Sequence, residues 1–219
     1  MAEQPPIQLY AFWRSSATYR VRVALNLKGV AVEETQIDLE AGQQLGDEFL
    51  AVNPQGAIPA LVEAGHPPLT QSVAILEYLD ERFPRPPLLP TDPYSRARVR
   101  SLAAMMASDT HPLVVPRVKK YLLEAGFDDA AWRAWQVNWF TRGLQAMETR
   151  LASETATGTF CHGHIPGLAD ICLASIAAVA RVFKIEVADI PTVERIVGSC
   201  EELDAFARAS PALQVGAPK

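Results

Sequence analysis

Between Phe83 and Pro93 the chain reads FPRPPLLPTDP, with Pro84, Pro86, Pro87, Pro90 and Pro93 in quick succession. Each proline removes a backbone donor and pushes the residue before it out of the helical region. No regular element can run through such a segment. The 219 residues therefore divide into a first domain at 1–83, a linker at 84–93 and a second domain at 94–219.

The two parts carry different periodicities. Ile7 to Phe12 is a short β-prone run ended by Arg14, Ser15 and Ser16, and from Thr18 the spacing of Val21, Ala24 and Leu25 becomes helical. Gly29 closes that helix, and Val32 to Leu39 alternates as a second strand. Two strands joined by a helix in so short a stretch form a βαβ unit, right-handed and parallel. After a polar, helix-permitting stretch at Gln43 to Val52, the runs Ala60–Glu63 and Pro68–Thr70 make a hairpin around Gly65. Ser72 then caps a helix through Ile75, Leu76 and Leu79 to Arg82. Beyond the linker every segment is helical, at about Tyr94–Ser108, Leu113–Ala125, Asp129–Ala152, Leu168–Phe183 and Thr192–Ala209. The expected fold class is α/β plus all-α, a βαβ-ββα domain followed by a helical bundle.

Charge and cysteine usage narrow the function. Twenty Lys and Arg against 25 Asp and Glu, with the basic residues scattered, leave no electrostatic footprint for nucleic acid. The longest apolar run, Ile171 to Ala180, stops at Arg181, far short of the ~20 residues of a membrane span. The first residues carry Glu3 and no apolar core behind a basic start, so no secretory signal is read there. Cys161, Cys172 and Cys200 form no CxxC pair and are odd in number, which argues for a reducing cytoplasm and against a disulfide framework or a metal site. No cysteine lies in the first domain, so a thiol–disulfide oxidoreductase is excluded.

Several strings set in this frame resemble the zeta-class glutathione transferases, the maleylacetoacetate and maleylpyruvate isomerases. FWRSSATYRVRVALNLKG is similar to their signature RSSCxxRVRIAL, while NPQGAIPALVE and LTQSVAILEYLDERFPRPPLLP are similar to the other two N-domain motifs. GLADICL and FKIEV have counterparts in the helical domain, so the likeness covers nearly the whole chain. It implies the cytosolic glutathione transferase fold, with a thioredoxin-like domain ahead of the helical one, glutathione as cofactor, and a homodimer packed across the two domain types.

Ser15 and Ser16 stand where the first strand hands over to a helix, and hydroxyls, backbone N–H groups and the helix dipole together favour an anion there. A thiol with a pKa near the ~8.5 of free cysteine becomes a nucleophilic thiolate more readily beside such donors. A plain helix cap is the other reading of these serines. The resemblance gives the leading role to Ser15, with Ser16 assisting. It also implies a cis Ile58–Pro59 peptide turned toward the cysteinyl part of glutathione, Gln71 and Ser72 on the γ-glutamyl carboxylate, and Gln44, with Gln43 nearby, at the glycyl end. Arg14 suits a substrate carboxylate, since arginine pairs with carboxylates through charge-assisted bonds. His111 and Arg117 match a histidine and an arginine that related maleylpyruvate isomerases place toward the cleft. Trp132, Trp135 and Trp139 repeat at i, i+3 and i+7, the spacing of a packing stripe. Asp170 resembles a helix-capping acid, and the three cysteines read as buried apolar residues.

Three positions depart from the family pattern. Ala17 replaces the cysteine that follows the two serines, Gly167 replaces a capping Ser or Thr, and Val182 stands where a substrate-binding arginine is usual. Arg181 comes one residue earlier, about 100° around a helix. The expected function is glutathione-dependent cis–trans isomerisation of maleylacetoacetate or maleylpyruvate in aromatic catabolism. A transferase that conjugates or dehalogenates small electrophiles such as α-halo acids is the alternative that Val182 keeps open, and a non-catalytic binding module of the same fold is the second alternative.

Overall fold

Residues 7–218 are described by a computed structural model. Strand β1, Ile7–Ala11, runs parallel to β2, Val32–Gln36, with Leu9 opposite Glu34. Helix α1, Ser16–Lys28, makes the crossover and buries Val21, Ala24 and Leu25, as its spacing predicts. Gly29 ends it in the left-handed conformation at φ 64°, donating to the Asn26 carbonyl. Strand β2 stops at Gln36 rather than Leu39, because the Asp38 carboxylate accepts the N–H groups of Glu40 and Ala41 and bends the chain into a turn.

A short helix α2, Asp47–Leu50, follows a tight turn at Gln43–Leu45. Strand β3, Ala60–Val62, pairs antiparallel with both β1 and β4, Leu69–Thr70, giving the order β2-β1-β3-β4. Gly65 in the hairpin has φ 81°. Helix α3, Ser72–Arg82, buries Ile75, Leu76 and Leu79 and packs against α1. Ser72 is its first helical residue and not its cap; the cap position is Gln71, at φ 68°.

The remaining helices are α4, Pro93–Ala104, α5, Pro116–Glu124, α6, Asp129–Ser153, α7, Leu168–Val182, α8, Pro191–Glu201, and α9, Asp204–Ala207. Helix α4 does not run on to Ser108. It widens into a π turn at Met105–Thr110 and then tightens at His111–Leu113. Gly143 of α6 admits this widened turn, since a Cβ there would lie 2.2 Å from Thr110 Oγ1. Helix α5 starts at Pro116, a residue suited to a first helical position. The helix expected over Thr192–Ala209 breaks after Glu201, where Leu203 N–H folds back onto the Cys200 carbonyl.

The chain divides into two units, one running to Pro87 and resuming at Asp204, the other spanning Leu88–Leu203. The C-terminal stretch expected in the helical domain thus joins the α/β unit, where Asn26 Nδ2 donates to the Ala205 carbonyl at 2.8 Å. In the helical unit the core is formed by Leu102 of α4, Phe140, Leu144 and Met147 of α6, and Ile171, Leu173 and Ile176 of α7. Trp132 belongs to that core, while Trp135 and Trp139 are half-buried. All three cysteines are buried. Arg98 ties α4 to the loop before α7, donating to Glu154, Thr157 and the Cys161 carbonyl.

Asp170 fastens the start of α7. Its carboxylate accepts Gly167 N–H at 2.9 Å and Cys161 N–H at 2.7 Å; burial raises its pKa against the opposing pull of those bonds. Gly167 stands in the capping position because the Leu88 carbonyl, bonded to Leu168 N–H, would lie 2.7 Å from any Cβ there. Replacing Asp170 with alanine strands two inward N–H groups at about 1–3 kcal/mol each. A loss of about 2–4 kcal/mol is expected by urea denaturation, and a loss under about 1 kcal/mol would mean that water takes over both bonds.

Candidate active site

Three loops of the α/β unit carry polar groups at the ends of β1, β3 and β4. Ser15 is the N-cap of α1: its backbone is extended, and its Oγ accepts Thr18 N–H at 3.1 Å. The hydroxyl is half-buried and, with one lone pair engaged, keeps its O–H to donate. The cap and anion-binding readings of Ser15 are therefore compatible in one residue. Ser16 starts the helix, is 2% exposed, and accepts Arg20 Nη1 at 3.4 Å. Arg14 forms an ion pair with Glu40 and lies over the rings of Phe12 and Trp13.

The second loop, Asn53–Pro59, is held from within. Asn53 is buried, donating to the Ala57 carbonyl and accepting Gln55 N–H. The Ile58–Pro59 peptide is cis, directly before β3. Gly56, at φ 58°, abuts the Gln43–Leu45 turn: a Cβ would lie 2.9 Å from Leu45 Cδ2 and 3.1 Å from the Gln44 carbonyl. Of the two glutamines in that turn, Gln43 is occupied, accepting Asp38 N–H at 2.8 Å. Gln44 Oε1 is buried and lacks a hydrogen-bond partner among the described residues.

The third loop delivers Gln71 and Ser72 to the N-terminus of α3. Gln71 Nε2 donates to Gln55 Oε1 at 2.8 Å, and Ser72 Oγ accepts Arg20 Nε at 3.0 Å. Arg20 and Gln55 are thus part of the arrangement although pattern reading passed over both. The signal for Arg20 was its place in the RVRVAL string, where a cation falls among residues that are otherwise core.

His111 and Arg117 lie in the helical unit, the first half-buried in the tight turn after the π segment, the second exposed in the first turn of α5. Trp135 Nε1 fixes that turn by donating to the Leu113 carbonyl at 2.7 Å. Val182 is the last residue of α7. Arg181 pairs with Glu201 of α8 and lines a groove of about 620 Å³ with Leu144, Ile185 and Val193.

Residues 5–81 match the family model of the glutathione S-transferase N-terminal domain. A maleylpyruvate isomerase from Ralstonia is 43% identical over 95% of this chain and 98% of its own. The chain belongs to the zeta-class glutathione transferases. A maleylacetoacetate isomerase from Methylobacterium extorquens AM1, solved with bound malonate and glutathione, is 51% identical with a TM-score of 0.95, covering 97% of this chain and 100% of that one. The holo structure of a bacterial maleylpyruvate isomerase of the zeta class is 42% identical with a TM-score of 0.92, covering 96% and 100%.

Within this zeta-class site Gln71 stands out energetically. A non-glycine residue at φ 68° and ψ 106° costs about 1–3 kcal/mol. Gln71→Gly relieves that cost less the ~0.5–1 kcal/mol of extra freedom glycine has when unfolded. A net gain of about 1 kcal/mol is expected by thermal denaturation; a destabilised variant would show that the bond to Gln55 outweighs the strain.

Proposed function

We propose that the chain is a glutathione-dependent cis–trans isomerase acting on a dicarbonyl diacid, maleylpyruvate or maleylacetoacetate. The observation that carries this reading is the half-buried Ser15 hydroxyl at the start of α1, its lone pair taken by Thr18 N–H and its O–H left to donate. The full-length likeness to isomerases that carry these names supports it. The donor set suits the tripeptide: Ser15, Ser16 and Ser72 stand at two helix starts, where anionic groups are favoured, and Gln44 Oε1 suits a donor such as the glycyl amide N–H. When bound, glutathione supplies a thiolate that adds to the conjugated cis double bond and leaves again after rotation about the resulting single bond, so that it is not consumed.

In this reading Ser15 donates its O–H to the thiolate sulfur, lowering the thiol's pKa and holding the anion at the positive end of α1. Ser16 adds a second hydroxyl. Gln71 and Ser72 hold the γ-glutamyl carboxylate at the start of α3, Ile58 and Pro59 receive the cysteinyl backbone, and Gln44 takes the glycyl end. Arg14 attracts a carboxylate of the diacid, and His111 and Arg117 are assigned to the same substrate. The protein is further proposed to work as a cytoplasmic homodimer. Its three buried, reduced cysteines suit a reducing compartment, and two-fold pairing is the commonest assembly.

Val182 in place of arginine favours one competing reading, conjugation or dehalogenation of small electrophiles. The two are separated by mixing the protein with maleylpyruvate and with maleylacetoacetate, with and without glutathione, while following the ultraviolet loss of substrate and the free thiol. Glutathione-dependent loss at constant thiol is expected; thiol falling in step with substrate would establish the transferase. Ser15→Ala should lower kcat by about 10²-fold, the scale for removing one donor to a reacting anion. Glutathione affinity should change only a few-fold in that variant, and undiminished turnover would overturn the role of Ser15.

A further inference from the structure

Arg20 is the largest fully buried side chain among the described residues. It projects from the second turn of α1, and its guanidinium spans two helix starts: Nη1 donates to Ser16 Oγ at 3.4 Å and Nε to Ser72 Oγ at 3.0 Å. Fifty-two residues separate Arg20 from Ser72, so the contact joins two motifs that are distant in the chain. Guanidinium has donors and no acceptor, whereas a hydroxyl has one proton and two lone pairs. Both serines therefore accept from Arg20, and the proton of Ser72 turns away from the guanidinium. Both hydroxyls belong to the first residue of a helix, where α1 and α3 also concentrate free N–H groups.

We propose that Arg20 is a positioning residue for glutathione: by donating to Ser72 Oγ from within the core it turns that hydroxyl's proton toward the γ-glutamyl carboxylate at the start of α3. This rests on the isomerase reading above and deepens it. Lysine preserves the charge but replaces a planar fork with a single flexible ammonium, which cannot hold both hydroxyls in the same geometry. The effect on the cofactor passes through Ser72, since no contact of Arg20 with ligand is invoked.

The test compares wild type, Arg20→Lys and Arg20→Gln, each alone and combined with Ser72→Ala. Binding of glutathione and of S-methylglutathione is measured by calorimetry, the ultraviolet thiolate band of bound glutathione at one fixed pH, and kcat and KM for isomerisation. Arg20→Lys is expected to weaken both ligands by about tenfold, the scale for a hydrogen bond to a charged group, with the thiolate band of the saturated protein unchanged. In the Ser72→Ala background the same change should alter S-methylglutathione affinity less than about twofold, because residues acting through one contact are not additive. Fully multiplicative effects would overturn the proposal. So would a variant that loses thermal stability while affinity holds, or failure of both Arg20 variants to fold, since Arg20 would then be only a structural cation. Absence of glutathione binding in the wild-type protein would instead remove the isomerase reading itself.

Discussion

The parallel pairing of Ile7–Ala11 with Val32–Gln36 obliges the chain to return across the sheet before it can add the second strand, and α1 is that return. Its first turn must then sit at the C-terminal end of β1, where strand pairing ends and the helix N–H groups are unsatisfied. Ser15 takes the place that this connection creates, closing the turn with its N–H on the Phe12 carbonyl and its Oγ on Thr18. The antiparallel hairpin of β3 and β4 repeats the device at α3, so two helix starts belong to one sheet. A buried arginine between Ser16 and Ser72 makes these two starts interdependent. Buried cations are costly unless well bonded, and the two serine oxygens supply part of that bonding.

Local patterns announced most of the elements but few of the ties between them. The αL glycine after α1 and the hairpin glycine each act on their immediate neighbours, and each is where the sequence places it. Period-based reading failed where a distant group intervened. The N-cap of α3 is Gln71 because Gln55, from another loop, takes its side chain and Arg20 takes the hydroxyl of Ser72. Gly167 looked like a weakened cap, yet it is the residue that lets the Leu88 carbonyl approach. The π turn at Met105–Thr110 had no sequence signal of its own; what permits it is Gly143, more than thirty residues later in α6. The return of the chain at Asp204 to the first unit was hidden for the same reason, since Asn26 and Ala205 are 179 residues apart.

The candidate site was legible to a similar degree. The serines, the cis proline and Gln71 were visible as motifs, and Gln44 was separable from Gln43 only once the latter's bond to Asp38 was seen. Arg20 was invisible because a cation inside an apolar helical stripe reads as a tolerated exception until its partners are known.

Arg181 and Arg14 show how little an arginine count says about diacid recognition. Both make ion pairs at least partly open to solvent, with side chains 58% and 28% exposed, and such pairs contribute only about 0–1 kcal/mol. Neither pair is strong enough to withhold its arginine from a better partner, so placement decides. One residue of offset turns Arg181 about 100° around α7, onto the side where Glu201 of α8 and the apolar groove of Leu144 and Ile185 receive it. Arg14 adjoins the Ser15 cap, so a carboxylate drawn from Glu40's place would arrive beside the proposed thiolate. In the proposed reading, that exchange gives the α/β unit its own part in charge recognition, beside the turn that Ser15 caps.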